Sequence, residues 1–111
     1  MTGPAGQPAL TEALDRLWVQ FLPEMEERVA ILESAAAALA ANQLSIEQHR
    51  AAHAAAHKLA GVLGTFGLAE GTLLAREAEA IFSAEPDPGP AAAARLAQIA
   101  AQLRAIVQNR K

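Results

Sequence analysis

Alanine supplies much of the apolar content of this chain, and few of the other apolar residues are aromatic. Hydrophobic residues make up 52% of the sequence and aromatic residues only 4%. Alanine has the highest helix propensity of all residues, whereas strands favour β-branched and aromatic side chains. The composition therefore predicts an all-α fold built from closely packed helices.

The N-terminal third of the chain predicts two helices. Apolar residues recur at spacings of three and four from Leu10 to Phe21, which is the pattern of one helix face. Pro23 suits the first turn of a new helix rather than the interior of an old one, so a break is expected at Phe21 or Leu22. A second, longer helix is expected from Pro23 to about Ala41, because apolar residues continue at helical spacing while glutamates crowd its early turns.

Three further helices are expected in the rest of the chain. Ser45 and Gln48 have the form of a capping box, which starts a helix at about Ile46. A fourth helix is predicted over residues 68–82, and a fifth follows the proline-rich loop that ends at Pro90. Four amphipathic helices with short connections predict an antiparallel four-helix bundle, capped by the short N-terminal helix.

The length and charge of the chain limit its organisation and its partners. At 111 residues it has the size of one domain, with residues 1–8 expected as a disordered lead or linker and residues 9–111 as the folded part. A net charge of −3 argues against nucleic acid as a partner. No signal peptide or membrane span is evident in the sequence, so we expect a cytoplasmic protein. Because the bundle buries each apolar stripe, we expect a monomer.

The stretch from Ala55 to Leu68 places glycines in a run that otherwise favours a helix. Glycine costs roughly 1 kcal/mol relative to alanine inside a helix, so Gly61 and Gly64 require a reason in packing or in function. At about 100° per residue, His57 points away from the apolar face. We expect the small residues that share its side of the helix to leave a cleared strip, namely Ala54, Ala60, Gly61 and Gly64.

His57 is the candidate reactive group of the chain. An exposed imidazole has a ring nitrogen that can act as a nucleophile. The sequence offers no serine or aspartate at relay spacing, no paired carboxylates and no nucleotide-binding motif to complete a catalytic site. An exposed nucleophile without further machinery predicts a carrier rather than an enzyme.

The run His57-Lys58-Leu59-Ala60-Gly61, with Gly67 six residues further on, resembles the signature of the histidine phosphotransfer (HPt) domains of bacterial two-component phosphorelays. The resemblance implies that His57 accepts a phosphoryl group from the phospho-aspartate of a receiver domain and passes it to another receiver. It further implies that the partners are response-regulator receiver domains and a hybrid sensor histidine kinase. No intrinsic cofactor is expected, since in this family the receiver brings the Mg²⁺.

One position departs from the HPt pattern. Many members of the family carry a lysine three residues after the histidine, and this chain has Ala60 there. Lys58 and Arg76 are the candidate cations that could assist instead. The resemblance also makes Glu79 a candidate for ordering the imidazole ring, and it gives Gly61, together with Gly64, the role of leaving room for the phosphoryl group and the partner.

Two alternatives remain open from the sequence. His49, His53 and His57 recur every four residues and drift only about 40° per step around the helix, a spacing that can bind Zn²⁺. Against a metal site, no fourth ligand and no group that would orient the rings is evident. The second alternative is a bundle that docks receiver domains without carrying phosphate, which the loss of lysine at position 60 favours and the retention of His57 disfavours.

Overall fold

The computed structural model describes residues 6–84 and 88–110. Its four α-helices are α1 (Gly6–Ala40), α2 (Ile46–Thr65), α3 (Ala69–Ser83) and α4 (Ala93–Asn109), and a 3₁₀ turn, Pro90–Ala92, leads into α4. The helices pack as the neighbouring pairs α1 with α2, α2 with α3, α3 with α4 and α4 with α1, which closes a bundle. The prediction of an all-α four-helix bundle is confirmed.

The bundle core is entirely apolar in the described part of the chain, where no polar or charged side chain is buried. The largest side chains that are fully removed from solvent come from three helices, namely Met25, Val29 and Leu32 of α1, Leu59 and Leu63 of α2, and Leu96, Ile99, Leu103 and Val107 of α4. α3 contributes small residues together with Leu74 and Phe82. Because polar chemistry is absent from this core, functional groups must lie on the surface.

The predicted break near Phe21 and the separate capping helix are wrong, because α1 continues through Pro23 without interruption. The buried stripe of α1 passes across the proline, with Trp18 on one side and Met25 on the other. Proline removes the hydrogen bond to the carbonyl four residues earlier. That carbonyl belongs to Val19, which is exposed, so water can satisfy it. Packing on both sides of the proline therefore outweighs its local cost.

The N-terminal part of α1 includes residues that were expected to be disordered. The helix begins at Gly6, so residues 6–8 of the predicted lead are helical, while residues 1–5 lie outside the described residues. The ring of Trp18 packs edge-on against Phe66 at 5.1 Å, and the guanidinium of Arg110 lies 4.9 Å from the centre of the Trp18 ring. Arg110 also pairs with Asp15 at 3.1 Å. These contacts join α1 to the C-terminal ends of α2 and α4.

The ends of α2 are set by its own sequence. The predicted capping box is present, since the Gln48 amide donates to Ser45 Oγ at 3.0 Å and the Ser45 amide donates to the Gln48 side chain at 3.0 Å. At the other end Gly67 has a positive φ of 72°, a conformation that glycine adopts without steric cost. The Gly67 amide bonds to the carbonyl of Gly64, which closes the helix and begins the turn into α3. Gly67 therefore has a structural role as the terminator of α2.

None of the helices in the described ranges combines the length and the apolar character that crossing a membrane requires.

Candidate functional site

His57 lies near the middle of α2 and faces solvent, as the helical wheel predicted. Its side chain is 71% exposed. The buried face of α2, formed by Ala52, Ala56, Leu59 and Leu63, holds the helix against the core on the other side. The imidazole therefore stands on a rigid backbone with its ring available to a partner.

A carboxylate from the neighbouring helix contacts this ring. Glu79 Oε2 of α3 lies 2.8 Å from Nδ1 of His57. A carboxylate oxygen accepts hydrogen bonds, so Nδ1 carries the hydrogen and donates it. The lone pair of the ring is then on Nε2, the nitrogen that faces away from Glu79 and toward solvent. The contact fixes both the tautomer and the orientation of the ring.

The other two histidines of α2 are held in the opposite way. Nε2 of His49 donates to the carbonyl of Phe82 at 2.7 Å. Nε2 of His53 lies 2.9 Å from Ser83 Oγ, and since Ser83 donates its own hydrogen to the Glu79 carbonyl, His53 must be the donor. In both residues the distal nitrogen is already engaged within the protein. Among these three histidines, only His57 leaves its Nε2 without a partner inside the protein.

This arrangement bears on the metal alternative. Apart from Glu79, which the HPt resemblance made a candidate for ordering the ring of His57, the sequence showed no group that would orient the three histidines. In the structure each of them has a hydrogen-bond partner on α3. Binding a metal through the distal nitrogens of His49 and His53 would break two of these bonds. Within the described ranges, no three histidine, cysteine, aspartate or glutamate side chains are grouped so that they could hold a metal ion.

The glycines beside His57 have little contact with the rest of the protein. A Cβ atom added at Gly61 would meet nothing within 4 Å, and one added at Gly64 would meet Thr72 Oγ1 at 3.5 Å, an ordinary van der Waals distance. Close helix packing therefore does not explain either residue. Because neither glycine has a side chain, the surface beside His57 stays accessible to a partner.

Ala60 does not belong to the open strip, which corrects the helical-wheel assignment. It is only 7% exposed and forms part of the core. The hydroxyl of Thr72 on α3 lies 3.4 Å from its carbonyl oxygen, which shows how closely α3 covers this position. A longer side chain at position 60 would have to emerge through the seam between α2 and α3. The wheel alone could not show this because it does not contain the position of α3.

The two candidate cations lie on either side of His57. Lys58 is exposed on α2 and lines a shallow groove between α1 and α2. Arg76 is exposed on α3, one helical turn before Glu79. No hydrogen bond or ion pair joins either cation to the parts of the chain that the structure describes. The structure thus brings Glu79 to His57 and keeps both cations at the rim of the site.

Sequence reasoning missed Thr72, Phe82 and Ser83, all of which contact the α2 stripe from α3. The repeat of histidine every four residues on α2 was visible, and so was the matching spacing of Glu79 and Ser83. The missing information was the register between the two helices.

A sizeable groove lies away from this site. It has a volume of about 520 Å³, runs between α1 and α4, and is lined mainly by alanines. It contains neither a histidine nor an unpaired charge, since Glu33 at its edge is paired with Arg104 at 2.6 Å. The candidate site is therefore the exposed surface around His57 rather than this groove.

Comparison with known proteins relates the chain to a domain family and to a curated protein. The Hpt domain family matches residues 16–109 of the chain. A 66-residue part of the chain is 38% identical to Protein RcaC of Microchaete diplosiphon, which corresponds to 60% of this chain and 10% of RcaC. The chain therefore spans about a tenth of the length of this relative. No solved structure gives a significant match.

Proposed function

The chain belongs to the Hpt domain family, and from this premise we propose that His57 accepts a phosphoryl group from the phospho-aspartate of one receiver domain and delivers it to the aspartate of another. Membership of the family assigns the chain to histidine phosphotransfer in two-component signalling, as a phosphocarrier. The acceptor residue, the direction of the relay and the participation of a hybrid sensor histidine kinase are part of our proposal.

One observation carries the choice of acceptor. Among the histidines of α2, His57 alone directs a free Nε2 outward, because its Nδ1 donates to Glu79 while His49 and His53 use Nε2 inside the protein. A nucleophile needs an available lone pair and an open approach. The glycines at positions 61 and 64 supply the approach.

The transfer step follows from this geometry. The Nε2 lone pair attacks the phosphorus of the acyl phosphate as the bond to the aspartate oxygen breaks, so a P–N bond replaces a P–O bond and the receiver carboxylate leaves. Attack and departure are roughly in line. The ring becomes positively charged in the process, and the Glu79 carboxylate at Nδ1 stabilises that charge. Transfer to the second receiver reverses these steps.

The two proteins contribute different parts of the site. The Mg²⁺ expected on the receiver neutralises charge on the phosphoryl oxygens. This chain contributes the aim of the nucleophile, which α2 fixes by its buried face. The tautomer is set by Glu79, and the space for the incoming phosphoryl group lies over Gly61.

We assign the role of the missing lysine to Arg76. Across the antiparallel seam His57 faces Glu79 and Gly64 faces Thr72, so the same register sets Ala60 opposite Arg76. A cation on α3 at this point can reach the phosphoryl group without passing through the closed seam. We expect Arg76→Gln to slow transfer several-fold, and Lys58→Gln to slow it less.

The test is transfer of a ³²P label from a phosphorylated receiver domain. We expect label on the wild-type chain, none on His57→Gln, and nearly normal labelling of the matched variant His53→Gln. The labelled bond should be labile in acid and stable in alkali, as a phosphoramidate is. Label that persists on His57→Gln would overturn the assignment of the acceptor. A wild-type chain that binds receivers but takes up no label from any of them would favour the phosphate-independent docking module.

A further inference from the structure

The two flanks of the His57 surface differ in chemical character. On the α1 side, a groove contains four charged residues, which are Glu24, Glu27, Arg28 and Lys58. On the α3 side, an open concavity of about 340 Å³ is lined by Gly64, Gly67, Ala69, Thr72 and Leu73, with no charged residue among them. We call this second feature the Leu73 pocket.

Leu73 is a large apolar residue that faces solvent. It is 67% exposed on α3. The one polar side chain of the pocket is satisfied internally, because the hydroxyl of Thr72 is used by carbonyls of its own protein, Leu68 at 3.2 Å and Ala60 at 3.4 Å. The pocket therefore offers apolar surface and no free hydroxyl hydrogen.

The pocket lies close to the reactive nitrogen. Gly64, which forms one wall, is seven residues after His57 on α2, about 10 Å along the helix and within about 20° of the same face. Leu73 is six residues before Glu79 on α3, about 9 Å along that helix. A specific protein interface buries about 800 Å² on each partner. A patch of that area centred on Nε2 has a radius of about 16 Å and includes the Leu73 pocket.

We propose that the Leu73 pocket is the apolar anchor of receiver docking, taking an aliphatic or aromatic side chain that the receiver carries beside its phosphorylated aspartate. This inference rests on the proposed function, since the receiver must cover His57 for the transfer to occur. Buried apolar anchors supply much of the energy of protein interfaces, whereas exposed charges at the rim mainly set association rate and choice of partner. The charged groove on the α1 side then contributes to selectivity among receivers.

The experiment uses the receiver domain, from those of the source organism, that binds the wild-type chain most tightly. Its Kd is measured by fluorescence anisotropy, separately from the transfer of ³²P. Leu73→Ser removes the apolar wall. Leu10→Ser is the matched control, because Leu10 is a leucine of similar exposure, 61%, on the N-terminal part of α1 beyond the contact of Trp18 with Phe66. Ala69→Glu places a charge at the pocket in the first turn of α3, where an acidic residue favours the helix.

We expect Leu73→Ser and Ala69→Glu to raise Kd about tenfold and to leave the transfer rate at saturating receiver within twofold of wild type. Leu10→Ser should leave both values unchanged. Equal Kd values for wild type, Leu73→Ser and Ala69→Glu overturn the anchor while leaving phosphotransfer intact. A Kd that depends on Leu73 in a chain that takes up no phosphoryl group supports the anchor and overturns the proposed function. Absence of binding to any receiver overturns the anchor as well.

Discussion

Gly61 on α2 and Gly71 on α3 are the same residue in the same kind of helix, but their surroundings are opposite. A Cβ atom at Gly71 would lie 2.9 Å from Leu63 Cδ1 and 3.5 Å from Ile106 Cγ2, whereas one at Gly61 would meet nothing within 4 Å. Gly71 is explained by the inside of the protein, where α3 approaches α2 and α4 closely. Gly61 gains nothing from the fold, so its explanation must lie in what approaches the protein from outside.

The histidines of α2 show the same contrast, because one is bonded within the protein and another faces solvent. His49 is half-buried, contacts the Phe82 ring at 5.5 Å and donates to the backbone of the last turn of α3. His57 instead bonds to a side chain, the Glu79 carboxylate, and leaves its distal nitrogen free. Position on the same helix thus does not determine role, which depends on the group that α3 places opposite each ring.

The largest effect on stability is expected at Gly71. Gly71→Val adds a branched side chain against Leu63, whose Cδ1 must shift within a fully buried environment. Overpacking of this kind costs about 2 to 3 kcal/mol, measurable as a lower free energy of unfolding in urea. The rate of phosphotransfer per folded molecule should stay the same. A Gly71→Val chain as stable as wild type would show that the core is looser at this point than the distances indicate.

Substitution of Gly61 is expected to increase the stability of the fold and to slow phosphotransfer. Gly61→Leu should raise the free energy of unfolding by roughly 0.5 to 1 kcal/mol, because leucine is the better helix former and the space is open. In the function we propose, the same side chain stands where the phosphoryl group and the receiver approach, so transfer should fall at least about tenfold, a barrier increase of about 1.4 kcal/mol. Urea unfolding and ³²P transfer measure the two quantities on one sample. A Gly61→Leu chain that is more stable and still transfers at the wild-type rate would show that Gly61 is not needed to give the receiver access.

The parts of this site that depend on one helix alone were predictable from the sequence. The capping box at Ser45 fixes the start of α2, and helical geometry then sets the outward direction of His57, which the structure confirms. The predicted break at Pro23 was wrong because proline was judged locally, whereas Trp18 and Met25 hold α1 to the bundle on both sides of it. The contact partners of the histidines and the burial of Ala60 depend on the register between α2 and α3, which no pattern within one helix contains.

Substitution of Glu79 is expected to have a smaller effect, and it tests how the carboxylate assists transfer at His57. Glu79→Gln keeps the size of the side chain and can still accept a hydrogen bond from Nδ1, but it removes the charge that we propose stabilises the ring during transfer. We expect transfer to slow about fivefold, near 1 kcal/mol, with the stability of the fold nearly unchanged. Rates from rapid-quench ³²P measurements give the comparison. Transfer at the wild-type rate would mean that Glu79 orients the ring without electrostatic assistance.

The smallest effect is expected at Glu77, which provides the matched control for Glu79 on the same helix. Glu77 pairs with Arg95 of α4 at 2.5 Å, and this hydrogen bond holds the pKa of the Glu77 carboxyl below its usual range. A carboxyl whose pKa is lowered by folding stabilises the fold above its unfolded pKa, and the contribution is lost as the pH falls through the folded value. Both side chains are 42% exposed, so solvent screens the pair.

Glu77→Gln should lower the thermal midpoint at pH 7 by no more than about 2 °C, and the difference from wild type should vanish in acid. Because this pair neither packs like Gly71 nor faces a partner like Gly61, phosphotransfer should not change. A slower transfer in Glu77→Gln would mean that the reaction responds to the stability of the whole bundle. A change in transfer rate at Gly61 could then no longer be assigned to access rather than to stability.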